Sequence, residues 1–237
     1  MKISGNICSL ALKKVLEHVR VGAKCIDLDK IARDEIESQR ASPSFMTVDD
    51  YKWTICTTIN DQVVHGIPAH TKLANGDIIG IDIGAIYKGY HSDMAITVPV
   101  GEISEDKKNF LRVGRQTLEI AISQAKVGNT IGDISANIQE KIEGAGYSVV
   151  KSLTGHGIGR NLHEDPLVPG FGKKGKGERI LENMVLAIEV IYAQGSSEVK
   201  LERDGWTIST VDGSLGGLFE QTVATQKNGP IVLTPYL

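Results

Sequence analysis

Ile78-Ile-Gly-Ile-Asp-Ile-Gly84 is an apolar run with a single acid, Asp82, near its centre. Side chains in a strand point alternately to opposite faces, so Asp82 shares its face with Gly80 and Gly84, which have no side chain. The run therefore predicts a buried strand from which one carboxylate points into the protein beside empty space.

Three further acids lie in strand-like segments: Glu189 within 185–191, Asp93 within 91–97 and Glu220 within 218–223. A buried ionised carboxylate without a partner is costly, and the strands around Asp82 and Glu189 contain no Lys or Arg. One such acid alone could be an edge-strand carboxylate that faces water. Four of them predict metal partners, and oxygen ligands with a histidine suit Mn, Fe, Co or Zn. Two such ions, about 3.5–4 Å apart, could activate water for hydrolysis.

The composition excludes several classes of protein. The chain has 237 residues, of which 41% are hydrophobic and 23% charged, so it is neither disordered nor fibrous. A net charge of −3 gives no general attraction to nucleic acid or to an acidic membrane. No apolar run approaches the roughly 20 residues that span a bilayer. Three widely spaced cysteines predict no disulfide framework, and we expect a globular protein of the cytoplasm.

Parts of the sequence occur twice. Val21, Gly22, Asp27 and Ile36 recur with the same spacing as Val127, Gly128, Asp133 and Ile142, and Asp82 recurs at nearly the same offset as Glu189. We therefore predict a single α/β domain, residues 1–237, built from two related halves of about 1–104 and 105–237.

Periodicity predicts four helices, over about 5–19, 27–39, 105–126 and 131–144. It predicts seven strands, near 54–60, 77–85, 91–98, 147–153, 184–193, 206–210 and 218–226. Residues 166–180 are rich in Gly and Lys and predict a surface loop, because their G-x-G-x-x-G string lacks the flanking strand and helix that a nucleotide site needs. The lysines of this loop, Lys173, Lys174 and Lys176, are interpreted as a solvated charge run, with contact to a ribosome or nascent chain as the alternative.

Three of the six histidines are candidates for chemistry. His156 lies between glycines that let the backbone approach closely and leave the ring open to a cavity, although a turn residue is the common reading of such a histidine. His65 and His163 are each followed by Pro at the third position, a further sign of duplication. The remaining three, His18, His70 and His91, are expected to be structural or solvated.

Five stretches of the chain, in order, resemble the type I methionine aminopeptidases, which have the pita-bread fold: 56–68, 76–82, 89–93, 154–166 and 219–220. The resemblance covers nearly the whole chain and implies a curved antiparallel sheet covered by helices, in two pseudo-symmetric halves. It also implies a minimal, bacterial-type cytoplasmic enzyme that removes the N-terminal methionine from nascent polypeptides and prefers a small second residue.

The resemblance implies a role for each residue of the candidate site. The metal ligands would be Asp82, Asp93, His156, Glu189 and Glu220. They would hold two divalent ions (Co, Mn, Fe, Zn or Ni), bridged by Asp93 and Glu220, with Asp82 completing one site and His156 with Glu189 the other. A hydroxide bridging the ions would attack the amide, and Glu189 would move its proton. His65 and His163 would bind the substrate and stabilise the tetrahedral intermediate.

The resemblance also places a pocket for the methionine side chain at Tyr51, Cys56, Trp206 and Leu162. Leu162 stands where the family has an aromatic residue, and residues 48–53 replace an aromatic-rich loop, so we expect a reshaped pocket and altered selectivity. Asn60 resembles a residue that helps to bind a monovalent cation in some relatives, and Gln62 and Gly216 leave that cofactor open.

We expect a monomer that acts on nascent N-termini, with transient ribosome contact and no nucleic-acid or membrane partner. Two alternatives remain. A related Xaa-Pro dipeptidase would need an additional N-terminal domain, for which this chain has no room. A non-catalytic peptide-binding relative would normally have lost ligands, whereas all five are present.

Overall fold

A computed structural model, which describes residues 1–237, contains four α-helices and thirteen strands. The helices are α1 (Lys2–Leu16), α2 (Cys25–Ser38), α3 (Glu105–Ser123) and α4 (Ile131–Gly144), with a 3-10 turn at Phe45–Thr47. The strands are β1 (Ser42–Pro43), β2 (Ile55–Ile59), β3 (Gln62–Val64), β4 (Ile78–Tyr87), β5 (Tyr90–Pro99), β6 (Ser148–Val149), β7 (Thr154–Gly157), β8 (Glu164–Pro169), β9 (Val185–Ala193), β10 (Val199–Leu201), β11 (Ile208–Thr210), β12 (Gly216–Ala224) and β13 (Ile231–Val232).

Ten of the strands form one sheet, whose main path runs β1-β4-β5-β12-β9-β7-β8. Strand β2 pairs with β4, β6 with β9 and β13 with β12, and the three remaining strands form a small sheet in the order β10-β11-β3. The four central strands β4, β5, β12 and β9 are all antiparallel to their neighbours. The predicted α/β class with an antiparallel sheet is confirmed.

The helices cover one face of this sheet, which leaves the other face for the acids. Ile79, Ile81 and Ile83 alternate along β4 and are fully buried, in one core cluster with Ile7 and Leu12 of α1. Burying an isoleucine contributes about 1.5–3 kcal/mol, so this face fixes the register of the strand. Asp82, at the intervening position, must therefore point away from the helices.

The first and second parts of the chain repeat one arrangement. Helix α1 packs on β4 and β5, and α3 packs on β9 and β12. Helices α2 and α4 each follow a glycine with positive φ, Gly22 at 84° and Gly128 at 96°. A single β-bridge precedes each helix, Lys24 to Lys72 and Thr130 to Arg179. Helix α4 begins with a capping box formed by Thr130 and Asp133.

The prediction of a loop over 166–180 is wrong at its start. Pro166 and Pro169 lie in β8, which pairs with β7. Neither of these two strands was predicted. Prolines discourage a strand assignment because they donate no hydrogen bond, but β8 ends the main path of the sheet and tolerates them there. The predicted strand 147–153 is also too long, since only Ser148–Val149 pair.

Four of the six strands with only two or three residues, β1, β3, β10 and β13, were not predicted, because so few residues carry no measurable period. No helix is long and apolar enough to cross a bilayer.

Candidate metal centre and substrate cavity

Strand register puts three of the four acids in one row across the sheet. Asp82 on β4 lies opposite Ala95 on β5, Ala95 lies opposite Glu220 on β12, and Glu220 lies opposite Glu189 on β9. Asp93 comes two residues before Ala95 and so shares its face. The four carboxylates therefore converge on the face that the helices leave open.

A histidine completes the cluster from the next strand. His156 on β7 lies opposite Ala187, two residues from Glu189 on β9, and its Nε2 is 3.6 Å from Glu189 Oε1. Its other nitrogen, Nδ1, lies 2.8 Å from the carbonyl oxygen of Gly157, which fixes the ring. The possible ligand atoms of Asp93, His156 and Glu220 all lie within 4.8 Å of one another.

Burial in one shared site disfavours the ionised form of the four acids. Burial raises the pKa of Asp82 to about 7. Burial and the neighbouring carboxylates raise the pKa of Asp93, Glu189 and Glu220 well above the ordinary range. Burial lowers the pKa of His156 to about 4, so its imidazole is neutral at pH 7 and can act as a ligand.

Three carboxylate oxygens in this cluster have no hydrogen-bond partner: Asp82 Oδ1, Asp93 Oδ1 and Glu220 Oε1. Buried polar atoms are normally paired, so unpartnered acceptors of this kind call for a cation. Carboxylate oxygens and one neutral imidazole are a donor set that suits borderline divalent metals. The residues present therefore fit divalent metal ions.

A cavity of about 140 Å³ lies beside the cluster. The four residues expected around the methionine side chain, Tyr51, Cys56, Leu162 and Trp206, all line it. The Tyr51 ring meets Trp206 edge-on, with centroids 5.0 Å apart, and its hydroxyl donates to the carbonyl oxygen of Ile55 at 2.9 Å. The cavity thus pairs an apolar, partly aromatic wall with an acidic end.

Sequence reasoning missed one ring of this wall. Phe45 lies in the 3-10 turn and lines the cavity. A Cβ on Gly84 would come within 3.0 Å of Phe45 Cε1 and 2.6 Å of Ser44 Cβ, so Phe45 fits only because position 84 has no side chain. The absence of a side chain at Gly84 indicated a space on this face of β4, but the sequence did not indicate which residue would fill it.

His65 and His163 also line the cavity, and both are exposed to solvent. The His163 ring stands edge-on to His156, with centroids 4.5 Å apart. Partial desolvation lowers the pKa of both His65 and His163, and the proximity of His163 lowers that of His65 further. Both imidazoles are therefore neutral near pH 7 and can each donate or accept one hydrogen bond.

The other histidines and Asn60 do not line this cavity. His91 is buried in β5, and its Nδ1 lies 2.7 Å from Ser44 Oγ, which is a structural role. Lys107 Nζ donates to the carbonyl oxygen of Gly76 at 2.6 Å and to Asn60 Oδ1 at 3.3 Å. An ammonium group thus already contacts the Asn60 side chain, and the monovalent cation stays a prediction.

Helix α2 holds the cavity wall through two side chains one turn apart. Asp29 is buried, and its Oδ1 accepts from the backbone N–H groups of Thr54 at 2.7 Å and Ile55 at 3.0 Å. Arg33 donates to Thr54 Oγ1 and to the carbonyl oxygen of Lys52, each at 3.2 Å. These bonds fix the segment between Tyr51 and Cys56, both of which line the cavity.

The chain matches metallopeptidase family M24 over residues 1–225. It is 43% identical to methionine aminopeptidase from Clostridium perfringens over 234 residues, which cover 99% of this chain and 94% of that protein. It is 42% identical to methionine aminopeptidase 1 from Bacillus subtilis, again over 99% of this chain and 94% of that protein.

Solved structures agree. The chain superposes on methionine aminopeptidase from Thermotoga maritima with a TM-score of 0.97 at 39% identity, covering 99% of this chain and 94% of that chain. Prolidase from Pyrococcus furiosus superposes with a TM-score of 0.79 at 22% identity, covering 99% of this chain but 62% of the prolidase, a likeness of fold alone. The predicted pita-bread fold is confirmed.

Proposed function

This chain belongs to metallopeptidase family M24, and from that membership we propose that it is an aminopeptidase that removes N-terminal methionine from nascent proteins and peptides. The observation that carries the proposal is the set of unpartnered carboxylate oxygens beside a cavity of about 140 Å³ with an apolar, partly aromatic wall. A cavity of that kind suits one unbranched, polarisable side chain. The relatives named methionine aminopeptidase span nearly the whole chain and support this reading.

We propose that five residues hold two divalent ions: Asp82, Asp93, His156, Glu189 and Glu220. The resemblance implies that Asp93 and Glu220 would contribute to both sites, and the possible ligand atoms of Asp93, His156 and Glu220 lie within 4.8 Å of one another, close enough to contact one ion. When bound, such ions supply Lewis acidity and lower the pKa of water. The ions would be drawn from Co, Mn, Fe, Zn and Ni.

The protein's own groups would position the substrate and handle protons. Glu189 would accept a proton from the attacking water and release it to the departing amine. His65 and His163 can donate hydrogen bonds to the amide as negative charge develops on its oxygen. Tyr51, Trp206 and their neighbours would exclude water from around the methionine side chain.

The depth of the acids would restrict the reaction to chain ends. Asp93 and Glu220 are 4% and 2% exposed, whereas His65 and His163 are open to solvent. A free α-amine can approach the buried carboxylates at the inner end of the cavity, while an internal peptide segment has no such group.

We propose that residues 1–237 act as one catalytic unit, a monomer, with a preference for a small second residue.

Nascent chains would be the natural substrates, which favours the cytoplasm as the place of action. Lys173, Lys174 and Lys176 are exposed and would be available for transient ribosome contact, and we propose no nucleic-acid or membrane partner.

The test is metal-dependent cleavage of the tripeptide Met-Ala-Ser, with released methionine measured by chromatography. We expect the metal-free protein to be inactive and Mn²⁺, Co²⁺ or Fe²⁺ to restore cleavage. His156→Ala should abolish the restored activity, while substitution of His70, an exposed histidine that does not line the cavity, by alanine should leave it intact. Full activity of the metal-free protein or of His156→Ala would contradict the proposal, and preferential cleavage of an Xaa-Pro dipeptide would favour the dipeptidase alternative.

A further inference from the structure

Strand β12 changes its pairing partner beside the metal centre. Its backbone pairs with β5 only at Glu220 opposite Ala95 and at Gln221 opposite Met94. From Val223 onward it pairs instead with β13. Thr222 lies between these two pairings. If the pairing with β5 continued by one residue, Thr222 would lie opposite Asp93.

A hydroxyl group joins the strands at this junction in place of the backbone. The N–H of Asp93 donates to Thr222 Oγ1 at 2.9 Å, and the same hydroxyl donates to the carbonyl oxygen of Asp93 at 2.7 Å. The backbone N–H of Thr222 donates in turn to Thr234 Oγ1 at 2.8 Å. Both threonines are fully buried, so no water can replace these bonds.

A hydroxyl group also takes the place of a backbone-to-backbone pair on the other side of Glu220. Thr97 Oγ1 on β5 donates to the carbonyl oxygen of Leu218 at 2.9 Å and accepts from its N–H at 3.0 Å. The strands β5 and β12 are therefore held apart by an inserted hydroxyl at both ends of a short backbone pairing. Only the Thr222 end is bonded to the backbone of a metal-ligand residue.

The spacing of the strands sets the spacing of the two shared acids. Asp93 and Glu220 are diagonal neighbours, since Glu220 lies opposite Ala95 and Asp93 precedes Ala95 by two residues. Any closure of the strands at Thr222 would move the backbone of Asp93 relative to Glu220. Tyr236 braces the pair, since its Oη lies 2.6 Å from the carbonyl oxygen of Ala95 and 3.2 Å from that of Glu220.

We infer that the Thr222 hydroxyl is a positioning group that sets the separation of the Asp93 and Glu220 carboxylates and thereby allows a second metal ion to bind. The inference rests on the proposed function, in which those two residues are shared between two ions. Paired ions about 3.5–4 Å apart tolerate little change in the carboxylates between them.

The test is a titration of metal-free protein with Mn²⁺, followed by calorimetry and by electron paramagnetic resonance, which detects coupling between two adjacent Mn²⁺ ions. Thr222→Val removes the hydroxyl at nearly constant volume, Thr222→Ser keeps it, and Thr97→Val removes the equivalent hydroxyl where no ligand residue is bonded. Thr234→Val removes the acceptor of the Thr222 N–H and a longer hydrogen bond, 3.4 Å, to the carbonyl oxygen of Asp93. It replaces Thr222→Val if circular dichroism shows that the latter does not fold.

Thr222→Val should weaken the second binding step by about 10- to 100-fold and abolish the coupled signal, while the first step stays unchanged. Thr222→Ser and Thr97→Val should bind two ions as the parent does, and Thr234→Val should weaken the second step to a smaller degree. Parental binding by Thr222→Val, or an equal loss in Thr97→Val, would overturn the inference. A parent chain that binds no Mn²⁺ would instead count against the proposed function.

Discussion

Leu162 stands on the cavity wall where the resemblance implies an aromatic ring. The ring of Phe45, which packs against Gly84, provides one aromatic face of the same cavity, so the wall has aromatic character without a ring at position 162. Contacts between a thioether sulfur and a ring contribute about 0.3–1.5 kcal/mol. The identity of residue 162 should therefore affect which unbranched side chain is preferred.

Leu162→Phe should raise the ratio of kcat/KM for Met-Ala-Ser to that for the norleucine analogue by about two- to tenfold, because norleucine lacks the sulfur. Both tripeptides have nearly the same size, so steric effects largely cancel in the ratio. Leu181→Phe, at a site that is 60% exposed, is the control and should change neither value. An unchanged ratio in Leu162→Phe would place the sulfur contact elsewhere.

Individual acids could be located from sequence because their strands are regular. Alternation puts Asp82 on the face of Gly80 and Gly84, and the structure has it there. Phe45 could not be located in this way, because its place depends on contact with Gly84 from a different part of the chain. The face on which a strand residue lies can be predicted from alternation. A side chain that fills a space beside a distant segment, as Phe45 does, cannot be placed in this way.

At the level of elements, helix α2 controls a wall of the cavity that it does not line. Asp29 Oδ1 accepts both backbone N–H groups at the start of β2, and Arg33 holds the preceding turn. Loss of this anchor leaves two buried donors unpaired, which costs about 1–3 kcal/mol each. The segment from Tyr51 to Cys56 would then lose its fixed position.

Asp29→Ala should raise KM for Met-Ala-Ser several-fold with little change in kcat, because it disturbs the side-chain cavity and leaves the acids in place. Asp29→Asn should behave nearly as the parent, since a single oxygen accepts both bonds and the amide retains one. Steady-state kinetics and urea unfolding of the two variants provide the measurement. A fall in kcat without a change in KM would mean that Asp29 acts on the metal centre instead.

Helices were easier to predict than short strands. The helical period of residues 131–144 specifies α4 to the residue, because that signal is local. Strand β8 could not be predicted, since two prolines in six residues favour a loop and only its place at the end of the sheet makes them tolerable. The stability of such a strand comes from the neighbour it pairs with, which the sequence does not name.

At the scale of the whole molecule, the acid cluster makes the metal-free protein sensitive to pH. Asp82 has a pKa of about 7 in the folded protein against an ordinary value of 3.8, and the pKa of each of the other three acids is raised as well. A raised carboxyl pKa means that folding is favoured when the group is protonated, so stability is lost as pH rises. The histidines have lowered pKa values and act in the opposite sense, but only up to their ordinary value of 6.5.

Above about pH 6.5 the carboxylates should therefore dominate. The free energy of unfolding of the metal-free protein, measured in urea, should fall between about pH 6.5 and pH 8, and saturating Mn²⁺ should reduce that fall. Asp82→Asn should flatten the metal-free curve. Stability that rises with pH over this interval, or an Asp82→Asn curve parallel to the parent's, would contradict the raised pKa values of these acids.

Duplication guided the large-scale prediction because related turns recur. Gly22 and Gly128 both adopt positive φ before a helix, and the bridges at Lys24 and Thr130 repeat as well. The sequence could not predict how the halves join, since the β5–β12 contact depends on two threonine hydroxyls and a C-terminal tyrosine rather than on a pattern. The prediction of one domain with halves near 1–104 and 105–237 stays a prediction.

The bracing of Asp93 by residues near the other end of the chain has a consequence for biosynthesis. Thr222, Thr234 and Tyr236 are translated long after Asp93, so a growing chain contains four of the five proposed ligands before the groups that brace Asp93 have been made. We therefore expect the proposed metal centre to be completed only after residues 222–236 have left the exit tunnel. Under the proposed function, a new copy would then depend on copies made earlier if its own N-terminal methionine is to be removed during translation.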